Sequence, residues 1–196
     1  GHRRTNDRDI YFVSNRTGDP IQADCRFRVS QGSPQLWDPV TGEQRPLMQF
    51  ERADGLTSIP MEFDAFQSFF VVFGGKKEQP ISQTEKNFPE LKLSQELTGA
   101  WDVAFEPKWG GPEKVTFDTV QDWTTRQEAG IKYYSGVATY RKTLNLALVP
   151  EGKTYLNLGV VFDMARVKLN GKDLGVVWCA PWRVEISESL KSGENQ

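Results

Sequence analysis

YLNLGVVFDMARVKLNGKDLGVVWCAPWRVEI, Tyr155 to Ile186, decides the fold. At its centre Asn170-Gly171 joins two β-type runs. A two-residue loop of this kind needs positive φ at both positions. Asn and Gly tolerate that best, so the pair predicts a hairpin. The loop length sets the register. Leu169 faces Lys172, Lys168 faces Asp173, Val167 faces Leu174, Arg166 faces Gly175, Ala165 faces Val176 and Asp163 faces Trp178. Val167, Leu174, Ala165 and Val176 then share one apolar side. Lys168 and Asp173 form an opposite-charge pair on the other.

Downstream, WRVEI alternates, with Trp182, Val184 and Ile186 pointing one way. SESLKSGEN reads as one helical turn ended by Gly193. No closing strand is visible before Gln196, so the expectation is a sheet missing its last strand, in a chain cut from a longer protein. An unpaired sheet edge invites pairing with another chain, so edge-strand self-association or a frayed C-terminus is expected.

Upstream, LTGAWDVAFEP alternates Trp101, Val103 and Phe105 with Asp102, Ala104 and Glu106. KWGGPEK is a Gly/Pro loop, VTFD a short strand, DWTTRQEAGIKYYSG irregular, and GVATYRKTLNLAL a long strand. The first third is different in texture. GHRRTNDR is polar and reads as loose; IYFVSN, ADCRFRVS, LTSIPMEF and FQSFFVVF are short strands parted by turn residues. They predict a meander of about six strands without helical period. The polar stretch from Gly74 to about Leu93, with Pro80 and Pro89, reads as a linker. The domains are therefore placed at 1–75, with a linker at 76–92, and at 93–196.

Composition excludes several classes. The net charge of -2 gives no electrostatic reason for nucleic acid or an anionic membrane as partner. No apolar run approaches the roughly 20 residues that span a bilayer, and no signal peptide is present. The single histidine, His2, and two scattered cysteines, Cys25 and Cys179, offer no transition-metal site and no catalytic triad. The cysteines are buried free thiols or, alternatively, a bridge. No cofactor is expected, although a structural calcium ion held by carbonyls and carboxylates would suit such loops. Glycosidic hydrolysis needs two carboxylates about 5–10 Å apart lining a cleft, and no pair among the acidic residues is marked out.

Sugar binding needs aromatic planes and planar polar groups. The second half supplies both types in Trp109, Trp123, Tyr133, Tyr134, Arg141, Asp163, Arg166, Trp178 and Trp182. Trp101 and Trp182 are in phase with core positions. Trp109 has no periodic partners, so it is loop packing or an exposed contact. Tyr133 and Tyr134 are adjacent, so one is buried and one free. Trp178 and Asp163 sit at the core edge or in a cleft. Asp163 and Arg166 make either a structural ion pair or the polar groups of a site.

SGVATYRKTLNL, YLNLG, FDMARVKLNGKDLG and ISESLKSGEN, in that order, resemble the sugar-binding jelly roll of family 2-type glycoside hydrolases. The resemblance covers about residues 97–196. IYFVSN, LWDPVTGEQRPL and FFVVF are similar to the β domain that follows the catalytic barrel in bacterial α-L-rhamnosidase-like hydrolases. The resemblance implies an all-β fold of two tandem antiparallel β-sandwiches. The second would be a galactose-binding-like jelly roll lacking its last strand. It also implies a periplasmic or extracellular parent whose catalytic barrel is the chain's partner and holds the catalytic carboxylates. A barrel of that kind takes ~250 residues of alternating strands and helices, so no catalytic residue is carried onto this chain. His2-Arg3 stands where barrel hands over to β domain and is placed near the parent's active site. The expected function is a non-catalytic accessory region, with carbohydrate as a further partner. The alternatives are a free-standing carbohydrate-binding or adhesin module and a small self-contained glycosidase.

Overall fold

The computed structural model describes residues 1–74 and 86–196; the expected linker at 76–92 falls partly, over 76–85, outside the described residues. The described residues are almost entirely strand and loop, with a single four-residue helix, so the chain is all-β. It divides into two units, Gly1–Leu91 with Cys179–Trp182, and Lys92–Trp178 with Arg183–Gln196.

Among the described residues, the first unit has eight strands where about six were expected. They are β1 (His2–Arg4), β2 (Arg8–Ser14), β3 (Ile21–Phe27), β4 (Pro34–Trp37), β5 (Gln44–Pro46), β6 (Glu51–Ala53), β7 (Leu56–Phe63) and β8 (Ser68–Gly74). Two sheets form, one ordered β1-β2-β8-β4-β5 and one ordered β3-β7-β6. Period-2 alternation in β7 sends Thr57, Ile59, Met61 and Phe63 inward. They meet Leu36, Phe69, Val71 and Phe73 of the other sheet in one core. Phe27 against Phe73 and Phe63 against Phe69, each with ring centroids 5.5 Å apart, mark the plane where the sheets join. Thr57 is the buried polar exception, and its hydroxyl donates to the Val29 carbonyl at 2.6 Å. Asn87 and Phe88, within the expected linker, pack into this unit. The Asn87 amide accepts from Gln49 N at 2.9 Å and donates to Gln49 O at 2.7 Å, as a strand neighbour would. Phe88 lies against Phe69.

The N-terminus is not loose. β1 pairs with β2, His2 opposite Tyr11 and Arg4 opposite Asp9. The His2 ring stacks on Tyr11 at 4.0 Å and its Nε2 lies 2.8 Å from Asp9 Oδ1. Arg4 donates to both Asp9 oxygens, at 2.9 and 3.2 Å. Composition reads these charges as solvated, but across a ladder they are directly opposed and hold one another. The Arg4 guanidinium, with His2 beside it, keeps the Asp9 carboxyl below the usual carboxylate range.

The second unit contains β9 (Trp101–Ala104), β10 (Val115–Phe117), helix α1 (Ala129–Lys132), β11 (Thr139–Arg141), β12 (Leu144–Leu146), β13 (Tyr155–Asn157), β14 (Ala165–Leu169), β15 (Lys172–Val177), β16 (Arg183–Glu185) and β17 (Gly193–Asn195). The expected long strand is broken into β11 and β12 at Lys142-Thr143. A three-stranded sheet β10-β9-β11 carries a core of Val103, Phe105, Phe117, Ile131 and Tyr134. Antiparallel two-stranded ladders join β12 to β17, β13 to β16 and β14 to β15.

The hairpin forms on Asn170 (φ 52) and Gly171 (φ 82). Leu169 pairs with Lys172 and Lys168 with Asp173, as the loop dictates, and then the register shifts. Leu174 and Gly175 together oppose Val167, so Arg166 pairs with Val176 and Ala165 with Val177. The cause is local. Asp173 Oδ1 accepts from Gly175 N at 2.9 Å, and Gly175 takes φ 92, which only glycine adopts freely. Val177, not Val176, therefore shares the side of Ala165, and Asp163 does not face Trp178.

The frayed C-terminus is also corrected. Gly193–Asn195 pairs with Leu144–Leu146, Leu144 opposite Asn195. The expected helical turn is a 3₁₀ turn over Ser187–Ser189, and Gly193 starts a strand. Asn195 is fully buried. Its Oδ1 accepts from Asn170 Nδ2 at 2.8 Å and Lys191 N at 2.9 Å, and its Nδ2 donates to Lys191 O and Gly193 O. Periodicity could not reveal a strand this short. Cys25 and Cys179 are free, and burial pushes both thiols up, away from reactivity.

Asn195→Ala removes the four hydrogen bonds that the buried Asn195 amide makes to Asn170, Lys191 and Gly193, so it is expected to cost the second unit about 3 kcal/mol. Urea unfolding followed by the tryptophans checks this; a loss below about 1 kcal/mol would contradict the assigned role. Asp9→Ala is expected to cost the first unit about 1 kcal/mol at neutral pH. Because the folded carboxyl titrates below its unfolded value of ~3.9, this contribution is present above that value and lost as pH falls through the folded one. Parent and variant melting temperatures should therefore converge in acid.

Candidate functional site

Trp109 ends a 3₁₀ turn, Pro107–Trp109, that begins with proline and is closed by Gly110 at φ 84. It leaves Trp109 64% exposed. Tyr133 caps α1 and is 77% exposed. Both rings stand on segments pressed together at their backbones, since a Cβ at Gly130 would lie 2.6 Å from the Gly110 carbonyl oxygen. Gly111 is equally confined, because a Cβ there would lie 2.5 Å from the Phe105 Cβ. Tyr134 is the anchor below. Its ring meets Phe105 at 4.9 Å and Trp123 at 6.0 Å. Its hydroxyl accepts from Glu106 N and donates to Val137 O, each at 3.2 Å. Of the adjacent tyrosines, one is therefore buried and one free. A lysine ammonium lies near each exposed ring, Lys108 by Trp109 at 5.5 Å and Lys132 by Tyr133 at 5.6 Å. Glu106 holds Lys108 at 2.7 Å and raises its pKa. Exposed rings on a fixed base, edged by charged hydrogen-bonding groups, suit the apolar face and hydroxyls of a sugar.

The remaining candidates do not join this platform. Trp123 is core, packed on Phe105 and Tyr134. Trp182 is half-buried in a loop grouped with the first unit. Arg141 lies on β11, in an open depression of about 480 Å³ with Asp102, Val103, Ala104, Glu113 and Lys114. Asp102 and Glu113 are both exposed there and lack the burial that a general acid requires. Arg166 pairs with Asp173 at 3.0 Å, not with Asp163. Asp163 lies exposed in a bend, and Trp178 is exposed just past the end of β15. No three His, Cys, Asp or Glu side chains cluster to hold a metal ion among the described residues. Sequence reasoning missed Lys108, Lys132 and the Gly110–Gly130 contact. The Gly-Gly-Pro loop is the signal that could have pointed to them.

A family model described as alpha-L-rhamnosidase matches residues 1–52. The solved structure of a rhamnosidase from Novosphingobium sp. PP1Y superposes on 99% of this chain with a TM-score of 0.81 and 30% sequence identity. The chain is thus similar to one part of a rhamnosidase-type glycoside hydrolase. The match covers 18% of that solved chain. A protein of Formosa agariphila named as a beta-glucuronidase is 41% identical over 119 residues, 59% of this chain and 10% of that protein. The chain thus spans a small part of the length of the relatives it matches. The rhamnosidase family match falls within the first unit, whereas the aromatic platform stands in the second.

Gly130→Ala tests the platform's foundation. Alanine is worth about 1 kcal/mol over glycine within a helix. The clash with a backbone carbonyl outweighs that, because backbone cannot swing aside. The variant is expected to be less stable and to show altered near-ultraviolet circular dichroism from Trp109.

Proposed function

We propose that this region is a non-catalytic accessory part of a larger glycoside hydrolase, supporting its catalytic portion and holding glycan on the Trp109–Tyr133 platform. The observation that carries the binding role is the backbone clamp between Gly110 and Gly130 beneath two exposed rings. Large aromatics left in water on rigid supports are ready to stack without an ordering cost at binding. The rhamnosidase relative points to rhamnose-containing polysaccharide as ligand. Such chains are met in the periplasm or outside the cell, which is where the parent enzyme would act. The non-catalytic role is supported by the exposure of Asp102 and Glu113 in the open depression.

Electrophoresis of the 196-residue chain through gels containing rhamnose-rich polysaccharide is expected to show retardation. Trp109→Ala and Tyr133→Ala should each weaken it about tenfold, equivalent to ~1.4 kcal/mol. Arg141→Ala, away from the platform, should leave it unchanged. Unaltered retardation in the aromatic variants would discard the platform. Turnover of aryl glycosides by this chain alone would discard the non-catalytic role.

A further inference from the structure

We infer that the apolar face at the open end of the β14–β15 hairpin docks onto another part of the same, longer polypeptide. The bulge at Gly175 determines which side chains make that face. Ala165 pairs with Val177 and Arg166 with Val176. Extended one step past its last pair, the register would set Met164 against Trp178, on the side that carries Arg166 and Val176. That side is polar near the turn, where Lys168 and Asp173 pair and Arg166 reaches Asp173 at 3.0 Å. Towards the open end it becomes apolar. Met164 is 67% exposed, Trp178 58% and Val176 41%, and the segment leading in exposes Phe162 by 80% and Val160 by 79%.

Single exposed apolar residues are ordinary, but a contiguous set marks a contact surface. The chemistry separates it from the sugar platform. A sugar would need planar polar groups around the rings, and Arg166 is already held by Asp173. The apolar character fits a protein surface. The occupant follows from size. Separate proteins that associate stably contribute about 20–30 residues a side, far more than this patch offers. A segment tethered on the same chain needs much less, because the tether supplies a high effective concentration. The solved rhamnosidase places the counterpart of nearly this whole chain in a polypeptide of which it forms 18%. The inference rests on the accessory role proposed above.

Hydrogen exchange on the polypeptide encoded by the complete reading frame, set beside the 196-residue chain, tests it. The amides of residues 160–164 are expected to exchange at least about tenfold slower in the complete polypeptide. Joint Phe162→Asp and Met164→Asp substitution should restore fast exchange there while leaving retardation in glycan gels intact. Equal exchange in the two proteins overturns the docking surface. A concentration-dependent dimer of the 196-residue chain that protects the same amides also overturns it, by making a second copy the occupant. A complete polypeptide that hydrolyses no glycoside would instead overturn the accessory role.

Discussion

Asn170 carries two constraints at once. Its backbone takes φ 52 so that the hairpin can turn in two residues. Its side chain, freed by that geometry, donates to Ser189 O and to Asn195 Oδ1, both at 2.8 Å, and accepts from Gln196 N at 3.1 Å. Its own N–H donates to Gln196 O at 2.7 Å. The tip of one ladder thereby holds the strand that closes another. Few large apolar side chains are buried around these ladders, so polar satisfaction, not area, keeps them together. Buried amides are costly when unpaired and rigid when fully paired, and Asn195 is fully paired.

The first unit is stabilised differently. Phe27, Phe63, Phe69 and Phe73 fill the space between its two sheets, and hydrophobic burial supplies most of the driving force. Asparagine again does the fine work at the edges. Asn15 gathers the turn before β3 and the loop after β7 by donating to Asp19 O and Asp64 O while accepting from Thr17. Asn87 docks the chain that follows β8. Both units thus rely on a few side-chain amides that stand in for backbone where strands end.

What could be seen in the letters was whatever repeats at period 2 or sits in an obligatory turn. LTSIPMEF, FQSFFVVF and the Asn-Gly loop announced themselves because burial and positive φ leave compositional traces. His2–Arg4 did not, since a strand held by Asp9 and a stacked Tyr11 has no apolar pattern. Gly193–Asn195 is too short to show any period. The bulge was hidden because it depends on one Asp173–Gly175 hydrogen bond. Among the site candidates, the split of Tyr133 from Tyr134 followed from adjacency alone. The closeness of the segments that carry Trp109 and Tyr133 did not, because it arises from a glycine–glycine contact between stretches distant in sequence.

Gly175 gives the return strand of the hairpin one residue more than its partner over the same span. Every side chain beyond it is turned through half a revolution relative to an unbroken ladder. Were all of these residues paired without the bulge, Val176 would oppose Ala165 and face inward, and Val177 would face outward. The bulged conformation at Gly175 thus sets the sidedness of the hairpin's far end, and it does so without involving a residue of either core cluster.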